Sequence, residues 1–147
     1  MTRDNDNIFK LYMESAEEPR MKQDKRGNKR WKLKNNQHHR IDGPAVEYAD
    51  GSKAWYQFDK LHREDGPAME LKDGSKAWYI KGELHRLDGP AMQWPEPDGR
   101  KAWYVNGKHF SDMYDWAKAA LQYNGEPATD DDVEDKVVET LARDVLS

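Results

Sequence analysis

The chain contains no cysteine, which excludes disulfides and thiolate metal sites. It contains no apolar run near the roughly 18 residues of a membrane span. Its opening, Met1-Thr-Arg-Asp-Asn-Asp6, lacks the basic-then-apolar order of a signal peptide. Aliphatic residues are scarce as well. Hydrophobic residues make up 36% of the 147, and six Trp and seven Tyr carry much of their area. Such a chain cannot build the thick aliphatic core of an α/β fold, whereas a thin sheet faced with aromatic rings suits it. These absences predict one soluble, cytoplasmic domain with no membrane contact.

Charge is abundant but unevenly placed. The formal net charge is -4. Residues 1–25 hold five basic and six acidic side chains, residues 26–110 sixteen and twelve, and residues 111–147 three and ten. A mildly basic middle therefore precedes an acidic tail.

The middle is a repeat of about 23 residues. Its clearest copy is Asp73-Gly-Ser-Lys-Ala-Trp-Tyr-Ile-Lys-Gly-Glu-Leu-His-Arg-Leu-Asp-Gly-Pro-Ala91. The copy before has Lys-Ala-Trp-Tyr at 53–56 and His-Arg-Glu-Asp-Gly-Pro-Ala at 62–68. A looser first copy has Trp31 and His39-Arg-Ile-Asp-Gly-Pro-Ala45, and the last opens at Asp98 and stops after one half. Self-similarity at a fixed period predicts an antiparallel β-hairpin array over 26–110, a curved meander.

Turn chemistry sets the register. With Lys81-Gly82 at a two-residue turn, Ile80 faces Glu83, Tyr79 faces Leu84, Trp78 faces His85 and Ala77 faces Arg86. The same register sets Trp55 against His62 around Phe58-Asp59, and Trp103 against Phe110 around Asn106-Gly107. One extra residue gives the first copy a three-residue loop. Trp31, Trp55, Trp78 and Trp103 then form a ladder, and Tyr56, Tyr79 and Tyr104 a row on the opposite face. Proline in each Asp-Gly-Pro-Ala interrupts the second strand.

Residues 1–25 are expected to cover the open edge of the first unit, with Ile8–Met13 either a short strand or a helical turn. After Phe110 the period changes to that of helices. Ser111 is expected to cap a helix through about Asn124 with Met113, Trp116, Ala117, Ala120 and Leu121 on one face. Thr129 is expected to cap a second helix, with a stripe of Val133, Val137, Val138, Leu141 and Val145. Residues 111–147 thus form a two-helix C-terminal cap.

On these Trp-Tyr and Gly positions the units resemble MORN-type repeats, notably the diverged bacterial and phage forms. Tandem His-Arg-x-Asp-Gly-Pro-Ala units are also similar to small proteins of large tailed phages. The resemblance spans residues 27–110. It implies a rod or platform for proteins, carried by Trp31, Trp55-Tyr56, Trp78-Tyr79, Trp103-Tyr104 and the glycines 51, 74, 82, 99 and 107.

The recurrent pairs His39-Arg40, His62-Arg63 and His85-Arg86 admit two readings. As a functional row they engage carboxylates, phosphates or bases. As structural residues, each His stacks on its cross-strand Trp while each Arg bridges to Asp42, Asp65 or Asp88. No ligand spacing for zinc and no convergent catalytic pair is evident, so neither a cofactor nor enzyme activity is expected. Trp94 and Trp116 stand outside the ladder and, with the His-Arg pairs, are the candidate partner-binding residues. The expected function is a non-catalytic, phage-encoded adaptor or inhibitor that engages a host or viral protein. The alternatives are sequestration of an anionic ligand or nucleic acid by the His-Arg rows, and an enzyme with a site between sheet and helices.

Overall fold

The computed structural model describes residues 18–146, without the side chains of the last two. The expectation for Ile8–Met13 lies outside the described residues. Nine strands form one antiparallel sheet. In sheet order they are β1 (Arg20–Gln23), β2 (Lys29–Lys32), β3 (Val46–Glu47), β4 (Lys53–Ala54), β7 (Met69–Glu70), β8 (Lys76–Ala77), β11 (Met92–Gln93), β12 (Lys101–Val105) and β13 (Lys108–Phe110). The other four pair as side hairpins, β5 (Tyr56–Gln57) with β6 (Lys60–Leu61) and β9 (Tyr79–Ile80) with β10 (Glu83–Leu84).

Each unit is therefore one extended run divided between two ladders. Lys53 and Ala54 pair in the large sheet, Trp55 spans the gap, and Tyr56 and Gln57 pair in the side hairpin. The two side hairpins turn at Phe58-Asp59 and Lys81-Gly82, and the equivalent hairpin of the last unit, β12 with β13, turns at Asn106-Gly107; all six residues have positive φ, as a type I′ turn requires. Ile80 faces Glu83, Tyr79 faces Leu84 and Trp103 faces Phe110, as the turns dictate. In the first unit Leu33 N–H bonds to the Gln37 carbonyl across a three-residue loop. Ala77 does not face Arg86. It pairs with Met69 and Met92 instead, because the chain leaves the ladder after His85 and returns only beyond Pro90.

The hairpins at the opposite end close at Gly51, Gly74 and Gly99, where Tyr48, Leu71 and Trp94 donate to the carbonyls of Ser52, Ser75 and Arg100. The same closure brings Asp24 N–H to the Asn28 carbonyl. Residues 20–23 thus occupy the place of a closing strand and cover the edge of the first unit, with β1 beside β2.

The C-terminal segment forms α1 (Met113–Tyr123) and α2 (Asp130–Leu146). The cap of α1 is Asp112 rather than Ser111: its carboxylate accepts from the amides of Tyr114 and Asp115 at 2.7 and 3.1 Å. Thr129 and Asp132 form a reciprocal cap on α2. The main hydrophobic cluster lies here, with Val105, Trp116, Ala117, Ala120, Leu121 and Val133 buried together. Of the described side chains in the stripe expected on α2, Val133 and the half-buried Val137 reach the cluster, while Val138 and Leu141 are exposed.

Candidate binding surface

The repeated side chains define what each unit uses for its own folding. Arg40, Arg63 and Arg86 lie flat over Trp31, Trp55 and Trp78, with each Cζ 3.8 to 3.9 Å from the ring centroid. Each Nε donates to the unit's own Asp42, Asp65 or Asp88 at 2.9 to 3.0 Å. Each Nη1 donates to the proline carbonyl of the same unit. The glycine of Asp-Gly-Pro-Ala sits against the far side of the guanidinium, and a Cβ built on Gly43, Gly66 or Gly89 would meet Arg Cζ at 2.8 to 2.9 Å. Gly is needed there for close approach.

The histidines do something else. His39, His62 and His85 are buried, and each Nδ1 accepts the backbone N–H at the next unit's side-hairpin turn: Phe58, Lys81 and Asn106 at 3.2, 3.0 and 2.9 Å. Arginine, not histidine, stacks on the tryptophan. Burial lowers the pKa of His39 and His85, with Glu18 and Glu83 acting in the opposite direction. The imidazoles are neutral acceptors linking one unit to the next.

The helices dock on the face that carries the Trp row. Trp116 packs on Trp103 with ring centroids 4.6 Å apart and donates through Nε1 to the Arg86 carbonyl. Lys101 Nζ meets Asp144 at 2.8 Å on that same face. Trp116 is 0% exposed, so its indole occupies the place over Trp103 that arginine takes in the other units. Tyr114 donates to Asp130 and joins the two helices, an interaction that pushes its phenol up to about 12.

Strand alternation puts Tyr56, Tyr79 and Tyr104 on the opposite face, half-buried like Met69 and Met92. The phenols lie near enough that Tyr104 raises Tyr79, and Tyr79 raises Tyr56, beyond the effect of burial. At the closure end, Tyr48 and Leu71 are exposed and Trp94 is half-buried, at equivalent positions of successive hairpins. Adjacent hairpins are about 10 Å apart. Arg100 lies over Trp94 at 5.0 Å and is largely exposed.

Of the expected site residues, then, the six of the His-Arg rows and Trp116 are tied into the fold, and Trp94 stands at the surface. The sequence reading overlooked Tyr48 and Leu71. Their signal was a 23-residue spacing to each other and to Trp94, immediately before the closing turns. Among the described residues no three His, Asp or Glu side chains gather as a metal site. No helix of the described residues is long and apolar enough to cross a membrane.

A scan against protein-family models finds no match. Searches of curated proteins and of solved structures find none either.

Proposed function

We propose that the protein is a non-catalytic binding scaffold that presents the row Tyr48, Leu71 and Trp94 to a partner protein. The observation that carries this is positional. The equivalent residue of the first closure is Asp24, whose carboxylate bonds to Asn28 and Arg30, so the turn itself asks for no apolar side chain. Three exposed or half-exposed apolar residues at one recurring position, with Arg100 beside the last, are the chemistry of interface hot spots. Repeat arrays extend such chemistry into a line.

An adaptor or inhibitor acting on a host or viral protein, encoded by a phage, is the form of this reading that the repeat's resemblance suggests. Affinity capture with the wild-type chain and with Tyr48→Ser/Leu71→Ser/Trp94→Ser tests it. A stoichiometric protein retained by the first and lost by the second supports the reading. Identical recovery by both chains would overturn it.

A further inference from the structure

The first unit departs from the others on both sides of its tryptophan. Units two to four read Lys-Ala-Trp-Tyr at 53–56, 76–79 and 101–104; the first reads Lys29-Arg30-Trp31-Lys32. Arg30 therefore holds the place of Ala54, Ala77 and Ala102, and Lys32 the place of Tyr56, Tyr79 and Tyr104. Strand β1 then sets Lys22 against Arg30 and Arg20 against Lys32. Like charges directly opposed across a sheet destabilise it, and the fold shows three times that Ala and Tyr serve these positions.

The four side chains leave the sheet on one face as a square, from Cα positions about 7 Å apart along each strand and about 5 Å apart across the pair. Arg30 meets Asp24 at 2.8 Å, and Lys32 Nζ donates to Asn36 and lies near Asp59. Arg20 and Lys22 are exposed and have no carboxylate partner among the described residues. Residues 20–40 hold nine Lys and Arg and one acid, so the local excess is large. The row continues through His38, which bridges to Lys32 and whose ring lies 5.4 Å from that of Tyr56.

We propose that this square binds consecutive phosphates of a single-stranded nucleic acid, with His38 and Tyr56 offering a stacking face to a neighbouring base. Regularly spaced cations track a backbone, and only an unpaired base can reach a ring lying on a sheet. The acidic helices of a second copy are the competing polyanion. Their Asp130, Asp132 and Asp144 are already engaged within the chain. The proposal stands on the first unit and does not rest on the Tyr48, Leu71 and Trp94 row.

Fluorescence anisotropy of a labelled 20-nucleotide poly-dT, titrated with the full chain between 50 and 200 mM salt, tests it. Four phosphate contacts give a slope of log K on log salt of about -3. Arg30→Ala/Lys32→Tyr, which restores the sequence of the other units, is expected to raise Tm and halve that slope to about -1.4. Arg20→Ala/Lys22→Ala, on an exposed strand, is expected to do the same to the slope with folding kept. Unchanged affinity in both variants, or a duplex that binds as tightly as the single strand, overturns the proposal. Salt-sensitive self-association in sedimentation, without oligonucleotide binding, also overturns it and assigns the square to the acidic helices of a second copy.

Discussion

The Nδ1 of His62 accepts the backbone N–H of Lys81 at 3.0 Å, joining the second strand of one unit to the turn of the next. His39 and His85 repeat the contact with Phe58 and Asn106. An array with little aliphatic core is thus held by a buried acceptor in each unit. Protonation at Nδ1 would set an N–H against an N–H.

Stability should therefore fall as solution becomes mildly acidic. His39 and His85 have folded pKa values below the ordinary 6.5 because they are buried. The unfolded chain then binds more protons than the folded one below about pH 6.5, so unfolding is favoured as pH drops. Stability is fully present above that value and declines toward the depressed folded values. Carboxylates titrate lower, which leaves the window from pH 6.5 to 5 to histidine. Thermal melts across that window should show a falling Tm, with a shallower slope in His85→Gln. A flat Tm would contradict the neutral-acceptor role.

Gly66 and Arg63 should behave as one unit. A methyl group on Gly66 would sit 2.9 Å from Arg63 Cζ and displace the guanidinium from Trp55. Gly66→Ala should cost about 1–3 kcal/mol by overpacking, and Arg63→Ala a similar amount through the stacking and the Pro67 carbonyl it abandons. In the Arg63→Ala background the glycine substitution should cost little. A double-mutant cycle by denaturant unfolding reads the coupling, and strict additivity would refute the sandwich.

Two equivalent serines should respond differently. Ser52 Oγ accepts the Lys72 amide at 2.9 Å, stapling adjacent closures. At Ser75 the corresponding residue is Pro95, which has no N–H, and the buried hydroxyl makes no hydrogen bond. Ser52→Ala should cost about 1 kcal/mol, while Ser75→Ala should be neutral or slightly stabilising. Equal losses in the two melts would count against the staple.

Trp116 closes the far end. Its full burial against Trp103 predicts that Trp116→Ala costs about 3–5 kcal/mol and strips the helices from the last unit. Far-UV circular dichroism during denaturant unfolding should show the helical signal lost at lower denaturant than in the wild-type chain. An unshifted midpoint would mean the helices are not anchored there.

The hairpins were legible because Lys81-Gly82 and Asn106-Gly107 fix both turn and register locally. The Arg40–Asp42 type of bridge was legible for the same reason, with a single residue between the partners. What stayed hidden connects one unit to the next. His62 meets Lys81 nineteen residues on, a distance set by how hairpins stack and by nothing adjacent to either residue. The outward turn of Val138 and Leu141 was equally hidden, since a helix stripe does not say how much of it the neighbouring sheet will cover. Lys29-Arg30-Trp31-Lys32 was visible throughout, as a departure from Lys-Ala-Trp-Tyr that gained meaning once β1 was seen beside it.

The claim that the repeated His-Arg pairs serve the joining of units is tested most directly by nitrogen NMR of the imidazoles near neutral pH. The account predicts that His39, His62 and His85 all carry their proton on Nε2, with Nδ1 correlated to the amides of Phe58, Lys81 and Asn106 and those amides protected from exchange. Imidazoles protonated on Nδ1, or turn amides exchanging as freely as exposed ones, would contradict it.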